Sequence, residues 1–123
     1  MDAKKENENA LIGLWIDNLM DRVRLEEHFK AKGYSCESIS DTSPAFEFLQ
    51  ENTDATLIID LQNASLDFTK MRQQLNAQTE LLNRITCYFP HVRVELKKEM
   101  QQIGVEHIFP RSVFFEEPTS KLR

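Results

Sequence analysis

Residues 55–61 read ATLIIDL and carry the clearest strand pattern of the chain. Leu57, Ile58 and Ile59 are consecutive instead of alternating with polar residues, which is typical of a strand covered on both faces of a parallel sheet. Asp60 follows them directly. The pattern therefore predicts a central, buried strand with a carboxylate at its carboxyl end.

Outward from this run, strand and helix patterns alternate along the chain. Short apolar or alternating runs bounded by turn residues predict four more strands, at residues 10–16, 34–39, 85–89 and 105–109. Polar stretches with recurring apolar residues predict four helices between the strands, at residues 18–32, 41–51, 68–82 and 92–103. Ser43 is expected to cap the second of these helices, with Pro44 in its first turn.

This alternation predicts an α/β fold with a parallel sheet, right-handed crossovers and helices on both faces. In such sheets the working site lies at the carboxyl ends of the strands. Asp17, Asp60 and the segments that follow Phe89 and Phe109 are therefore expected to meet at one edge of the sheet.

Length and composition indicate one domain. The chain has 123 residues, of which 41% are hydrophobic, and a net charge of −5 from 15 basic and 20 acidic residues. The acidic balance argues against nucleic acid as a partner, because binding phosphates requires a basic surface. Residues 1–9 are expected to be a disordered lead, residues 10–117 the domain, and residues 118–123 a short tail.

The sequence gives no sign of a membrane or secreted location. It has no apolar run of about 18 residues, and its polar start lacks the apolar core of a signal peptide. Its two cysteines, Cys36 and Cys87, make no disulfide framework. We therefore expect a cytoplasmic protein in which Cys87 is a buried apolar residue and Trp15 is part of the core.

Short motifs stand at the predicted strand ends: Ile16-Asp17-Asn18, Ile59-Asp60, Phe89-Pro90 and Phe109-Pro110-Arg111-Ser112. On these motifs the chain resembles a response-regulator receiver domain of the CheY-like type, over about residues 10–115. The resemblance implies a flavodoxin-like three-layer sandwich with a five-stranded parallel sheet of order 2-1-3-4-5. It also implies that Asp60 stands at the phosphoacceptor position.

The same motifs depart from the family's usual pattern. The family has two acids after the first strand, a hydroxyl after the fourth, a rotating aromatic in the fifth and Lys-Pro behind it. Here the corresponding positions hold Asn18, Phe89, Ile108, Arg111 and Ser112. These departures imply a degenerate receiver, or pseudo-receiver, in which the detection of a phosphoryl group is impaired.

The remaining acids predict a thin magnesium site. Asp17, Asp60 and the backbone carbonyl of Gln62 would supply oxygen ligands of the kind that Mg²⁺ prefers. Asp17 is also a favoured residue for a helix N-cap. Arg111 is expected either to form a bidentate ion pair with Asp60 or to lie solvated at the surface. No other cofactor is predicted, because the three glycines are far apart and form no phosphate loop.

The end of the chain is short for a fifth covering helix. Residues 113–118 read VFFEEP, which leaves room for about one turn before the proline. The last helix is therefore predicted to be short or missing. An apolar sheet face without cover usually marks an interaction surface, so we expect a homodimer, a partner chain or a rearranged helix there.

These observations lead to three functional hypotheses. The first is a non-enzymatic, receiver-like signalling module that acts through protein–protein interaction, with a degenerate phosphorylation site around Asp60. The alternative is a functional single-domain response regulator that is phosphorylated on Asp60 by a histidine kinase. The third is a small-ligand or cofactor domain. Expected partners are signalling proteins and a second copy of the chain, with no nucleic acid and no membrane.

Overall fold

Strands and helices alternate in the computed structural model, which describes residues 10–122. The predicted lead, residues 1–9, and the last residue of the predicted tail lie outside the described residues. The elements are, in chain order, β1 (Leu11–Trp15), α1 (Leu19–Ala31), β2 (Ser35–Ser38), α2 (Thr42–Glu51), β3 (Thr56–Asp60), α3 (Phe68–Ala77), a first 3₁₀ helix (Thr79–Arg84), β4 (Ile85–Phe89), α4 (Val94–Ile103), β5 (His107–Pro110), α5 (Arg111–Glu116) and a second 3₁₀ helix (Pro118–Lys121). Within the described residues, no helix combines the length and the apolar character needed to span a bilayer.

The five strands form one parallel sheet in the order β2-β1-β3-β4-β5. This confirms the predicted α/β class and the flavodoxin-like strand order. The apolar run of β3 lies at the centre of the sheet, with Ile58 paired to Leu14 of β1 and Thr86 of β4. Asp60, paired with Tyr88, ends this central strand at the carboxyl edge.

Two apolar clusters cover the two faces of the sheet, because successive side chains of a strand point to opposite sides. The first face packs against α2, α3 and α4, and members of its cluster include Trp15, Leu49, Ile59, Met71, Cys87, Phe89 and Met100. The second face packs against α1 and α5, and its cluster contains Ile12, Leu14, Ile16, Leu25, Phe29, Ile58, Tyr88 and Phe114. Trp15 and Cys87 are buried, as predicted.

The start of α2 differs from its prediction. Asp41 is the N-cap, since its backbone is extended and its side chain accepts a hydrogen bond from the Thr42 N–H at 2.7 Å. The buried Thr42 hydroxyl donates to the Ser65 carbonyl at 3.1 Å, which holds the helix start at this residue. The predicted Ser43 cap is therefore wrong. Asp and Ser are similarly favoured as N-caps, so residue type alone does not decide between Asp41 and Ser43. Pro44 does lie in the first turn.

The helix predicted over residues 68–82 is divided in two. Gln78 separates α3 from the first 3₁₀ helix and has φ −137° and ψ 67°, outside the helical region. Arg84, at the end of that 3₁₀ helix, donates to the backbone carbonyls of Leu49, Asn52 and Ala55 at 2.7 to 3.1 Å. These contacts hold the chain at the entry to β4, so tertiary structure overrides the helical spacing of the apolar residues.

The helix before β5 begins later than predicted. α4 starts at Val94, whereas Val92 lies in the preceding turn with 72% of its surface exposed. The Arg93 N–H closes that turn by donating to the Pro90 carbonyl at 2.8 Å. The predicted end of this helix is confirmed, since Gly104 adopts φ +117°, a left-handed conformation that favours glycine.

The C-terminal segment covers part of the second face. α5 has six residues, which confirms the prediction of a short last helix. Phe114 is fully buried and stacks on the ring of Tyr88, with 5.1 Å between centroids. The second 3₁₀ helix lies against α1, where His28 Nε2 hydrogen-bonds to Thr119 Oγ1 at 2.8 Å. Leu122 packs on the same cluster.

Candidate functional site

Asp60 lies at the carboxyl end of β3, and 6% of its surface is exposed. Its Oδ1 accepts a hydrogen bond from the Gln62 N–H at 3.0 Å. Burial raises the pKa of Asp60 above its ordinary value, and the carboxylates of Asp21 and Asp17 raise it further. The hydrogen bond from Gln62 and the charge of Arg111 act against this rise.

Asp17 and Asn18 follow β1 and have different roles. Asp17 Oδ2 accepts a hydrogen bond from the Ala64 N–H at 2.9 Å, which joins the loops after β1 and β3. Asn18 is the N-cap of α1, and its Oδ1 accepts from the Asp21 N–H at 2.9 Å. The cap predicted for Asp17 is therefore wrong by one residue. The amide that stands in place of an acid is a structural cap here.

Asp21, in the first turn of α1, is a site residue that the sequence analysis missed. Only 4% of its surface is exposed. Arg111 forms a bidentate ion pair with it, in which Nε donates to Oδ2 at 3.2 Å and Nη2 donates to Oδ1. The Tyr88 hydroxyl donates to the same Oδ2 at 3.1 Å. The predicted pair between Arg111 and Asp60 is therefore wrong.

A signal for Asp21 was present in the sequence. Asp21, Leu25 and Phe29 are spaced by four, and the structure buries all three on one side of α1. An acid on the buried stripe of a helix requires a charged or hydrogen-bonding partner. Since α5 begins at Arg111 and packs on the second face beside α1, that partner is within reach.

The partners of Asp21 are themselves held by aromatic contacts. The Arg111 guanidinium lies over the Phe115 ring at 4.7 Å from its centroid, and Arg24 of α1 lies over the same ring at 4.8 Å. The hydrogen bond with Asp21 is the main cause that raises the pKa of Arg111. Burial, followed by nearby carboxylates, raises the pKa of Tyr88, so its phenol stays protonated and acts as a donor.

An open cleft of about 400 Å³ lies at this edge of the sheet. Its lining residues are Asp17, Asn18, Asp21, Asp60, Gln62 and Arg111. The predicted phosphoacceptor position and the three predicted magnesium ligands thus lie around one cleft, as expected for residues at the carboxyl ends of parallel strands. With three carboxylates and one guanidinium, the lining carries excess negative charge.

The donors in the cleft suit Mg²⁺ in type, although they are few. Asp17 and Asp60 each have one carboxylate oxygen that already accepts a backbone N–H. Because Mg²⁺ prefers oxygen ligands and keeps several waters, the ion fits here as a largely hydrated cation. Between residues 10 and 122, no group of three or more histidine, cysteine, aspartate or glutamate side chains is arranged to hold a metal ion. Magnesium binding stays a prediction.

Two of the substituted family positions lie in the core. Phe89 and Ile108 both belong to the first-face cluster and are not part of the cleft lining. Ser112 is exposed on α5. Tyr88, one residue before Phe89, brings a hydroxyl to this edge, but that hydroxyl donates to Asp21. The motifs at the strand ends gave no indication of this role of Tyr88.

Solved response regulators share this architecture, whereas no protein-family model and no curated protein matches the chain. Full-length FixJ from B. japonicum has a TM-score of 0.72 and 16% identity, over 92% of this chain and 55% of that one. Chemotaxis response regulator CheY4 of Vibrio cholerae has a TM-score of 0.67 and 15% identity, over 92% of this chain and 98% of that one. Response regulator StyR has a TM-score of 0.63 and 15% identity, with coverage of 92% and 59%.

The fold is that of a receiver domain. At 15 to 16% identity the similarity concerns the fold, and the chain spans little more than half of the FixJ and StyR chains. A shared fold does not determine function, which depends on the residues of the cleft.

Proposed function

We propose that this chain is a receiver-like signalling module that acts by binding other proteins, in a state that is set without phosphorylation of Asp60. The observation that carries the proposal is the pairing of Arg111. Asp21 holds this guanidinium in a bidentate ion pair, and the Tyr88 hydroxyl donates to the same carboxylate. The cation that would neutralise a phosphoryl group on Asp60 is thus engaged elsewhere.

The charge of the cleft supports the same proposal. Phosphoryl transfer requires neutralisation of the charge on the transferring oxygens. Among the side chains that line the cleft, and without a bound cation, Asp17, Asp21 and Asp60 outnumber the single guanidinium of Arg111. The raised pKa of Asp60 acts in the same direction, because burial disfavours the charged form that would attack a phosphodonor.

Under this proposal the chain works as a binding module and not as an enzyme, and its partners are signalling proteins of the cytoplasm. A second copy of the chain is a further candidate partner. That expectation rested on an uncovered sheet face, and α5 covers part of this face through Phe114. Sedimentation velocity over a range of concentrations tests whether the chain self-associates.

A second candidate is a functional single-domain response regulator that is phosphorylated on Asp60 by a histidine kinase. The open cleft in front of Asp60 favours it, because a phosphodonor has room to approach. In this case Asp17, Asp60 and the Gln62 carbonyl would hold Mg²⁺, which neutralises charge on the phosphoryl oxygens. Arg111 would have to leave Asp21 in order to contact those oxygens.

Chemical labelling separates the two candidates. The chain is incubated with acetyl phosphate and Mg²⁺, with a receiver domain that this donor labels as the positive control and Asp60→Asn as the negative control, and intact masses are measured. We expect no mass gain in this chain under conditions that label the positive control. A gain of one phosphoryl group that Asp60→Asn abolishes would favour the second candidate.

Binding of a purified protein partner provides the second test. Isothermal titration compares wild type, Asp60→Asn and Asp60→Ala, each with and without the phosphodonor. We expect the same Kd in all cases, because the state of the module does not depend on Asp60. Binding that needs the phosphodonor and is abolished by both substitutions would contradict the proposal.

A further inference from the structure

We propose that Arg111 and Tyr88 form an oxyanion-binding site and that the carboxylate of Asp21 is its built-in ligand. Asp21 then stands where a free carboxylate or a phosphate-like anion would otherwise bind. The inference rests on the proposed function, which it deepens by naming the group that takes the place of an external anion.

The geometry of the donors carries this inference. Three donor groups converge on one carboxylate: Arg111 Nε and the Tyr88 hydroxyl both reach Asp21 Oδ2, at 3.2 and 3.1 Å, and Arg111 Nη2 reaches Oδ1. A guanidinium fork with an additional hydroxyl is an arrangement that binds planar carboxylates and phosphate oxygens. Asp21 is 4% exposed, so most of its side chain is covered by these donors and by the residues around it.

The donors are supported from behind, as a binding site requires. Phe114 stacks on the Tyr88 ring, which fixes the direction of the phenol. Phe115 contacts the Tyr88 ring edge-on at 5.2 Å and lies under the guanidinium of Arg111. Arg24 adds a second cation over the same ring, which ties the donors to α1. These contacts favour the orientation of the donors that a free anion would need once the internal ligand is removed.

One carboxylate joins three elements at this point. Asp21 belongs to α1, Tyr88 to β4 and Arg111 to α5. Because Arg111 also lines the cleft next to Asp60, its guanidinium cannot serve both acids in bidentate geometry at once. Asp21 is thus a positioning residue that keeps Arg111 away from Asp60 and holds α5 against α1.

Removal of the internal ligand and its replacement by a free anion tests the inference. Asp21→Ala is studied by hydrogen exchange of residues 111–116 and by thermal unfolding, with formate, with inorganic phosphate and with chloride at equal ionic strength. Loss of charge-assisted hydrogen bonds predicts exchange about tenfold faster in Asp21→Ala. Formate or phosphate is expected to restore most of the protection, and chloride is not.

Two control variants separate a binding site from a general effect. Glu27→Ala removes an exposed acid of the same helix, and we expect wild-type exchange with no response to formate. Asp21→Ala/Arg111→Met lacks the guanidinium, so we expect it to show no rescue. Wild-type exchange in Asp21→Ala, equal rescue of the double variant, or rescue by chloride as effective as that by formate would each overturn the inference.

A second variant keeps the test available if Asp21→Ala does not fold. Asp21→Asn preserves the size of the side chain but removes its charge. Modification of Arg111 by phenylglyoxal, followed by peptide mass, is expected to be about tenfold faster in this variant. Phosphate should protect Arg111 in the variant and leave the wild type unaffected, and equal rates in both proteins would contradict the inference.

The outcome is independent of the test of the proposed function. The rescue is measured without any phosphodonor, whereas the proposed function is tested by labelling of Asp60. Labelling of Asp60 together with successful rescue would overturn only the proposed function. Absence of labelling together with failed rescue would overturn only the assignment of Asp21 as an internal ligand.

Discussion

The two faces of the sheet differ in how their covers are attached. On the first face, α2, α3 and α4 lie over a large apolar cluster that extends from Trp15 to Met100. On the second face, α1 and the short α5 enclose a smaller aromatic cluster, in which the Tyr88 hydroxyl donates to Asp21. The second face therefore connects its core to the charged cleft.

The two faces also differ in what their arginines bind. Arg84, on the first face, binds three backbone carbonyls at the end of the sheet where β4 begins. Arg111, on the second face, binds a buried carboxylate at the opposite end. We therefore expect first-face substitutions to change stability alone, and second-face substitutions to change stability and the cleft together.

The largest expected effect comes from one core residue on each face. Phe114→Ala should lower the free energy of unfolding by about 3–5 kcal/mol and Met100→Ala by about 2–5 kcal/mol, because both side chains are fully buried. Urea unfolding measures these changes. Phenylglyoxal modification of Arg111 should become faster only in Phe114→Ala, since Tyr88 then loses its stacked ring. Equal Arg111 reactivity in both variants would contradict the expected difference between the two faces.

The next effect concerns the carbonyls at the end of α2. Arg84→Met should lower the free energy of unfolding by about 2 kcal/mol, because three carbonyls lose a charged donor. Arg84→Lys should recover only part of this loss, because an ammonium keeps the charge but lacks the guanidinium fork. Urea unfolding gives the size of both changes. Faster modification of Arg111 in either variant would show that the two ends of the sheet are coupled after all.

Two hydroxyls of β4 provide a smaller and sharper test. Thr86 and Tyr88 are two positions apart and therefore point to the same side of the strand. The buried Thr86 Oγ1, however, has no hydrogen-bond partner among residues 10–122. Thr86→Val should raise the free energy of unfolding by about 1 kcal/mol, and Tyr88→Phe should lower it by about 1 kcal/mol, because only Tyr88 loses a bond. Changes of the same sign in urea unfolding would contradict this distinction.

The last prediction concerns pH. The folded-state pKa of Asp60 is raised above its ordinary value of 3.8, so the stability that this residue contributes at low pH is lost as the pH rises through the folded pKa. Asp60→Asn avoids that loss. Its advantage over wild type in free energy of unfolding should be absent well below pH 3.8 and grow as the pH rises through the folded pKa, as measured by urea unfolding at several pH values.

The Asp60→Ala variant serves as the control for this prediction. It lacks the oxygen that accepts from the Gln62 N–H, so it should show the same pH trend from a lower baseline. An advantage that grows instead as the pH falls would mean that the charged form of Asp60 is favoured in the fold.

Local patterns predicted much of this architecture because they depend on neighbours in the chain. The run that ends at Asp60 indicated a central strand, and the glycine at residue 104 correctly marked the end of α4. Two of the errors lie where a distant contact decides. Asp41 and not Ser43 is the N-cap of α2, because the Thr42 hydroxyl donates to the distant Ser65 carbonyl. The predicted long helix ends at Gln78, because Arg84 binds carbonyls outside its own helix.

By itself, the sequence determined the order of the strands and helices and the edge at which Asp17 and Asp60 meet, since hydrophobic spacing and strand ends are local properties. Only the tertiary structure decided which acid Arg111 binds. Asp21 and Arg111 are 90 positions apart in the chain. Their pairing depends on how α5 leaves β5 and packs beside α1, and burial of Asp21 makes that partner necessary.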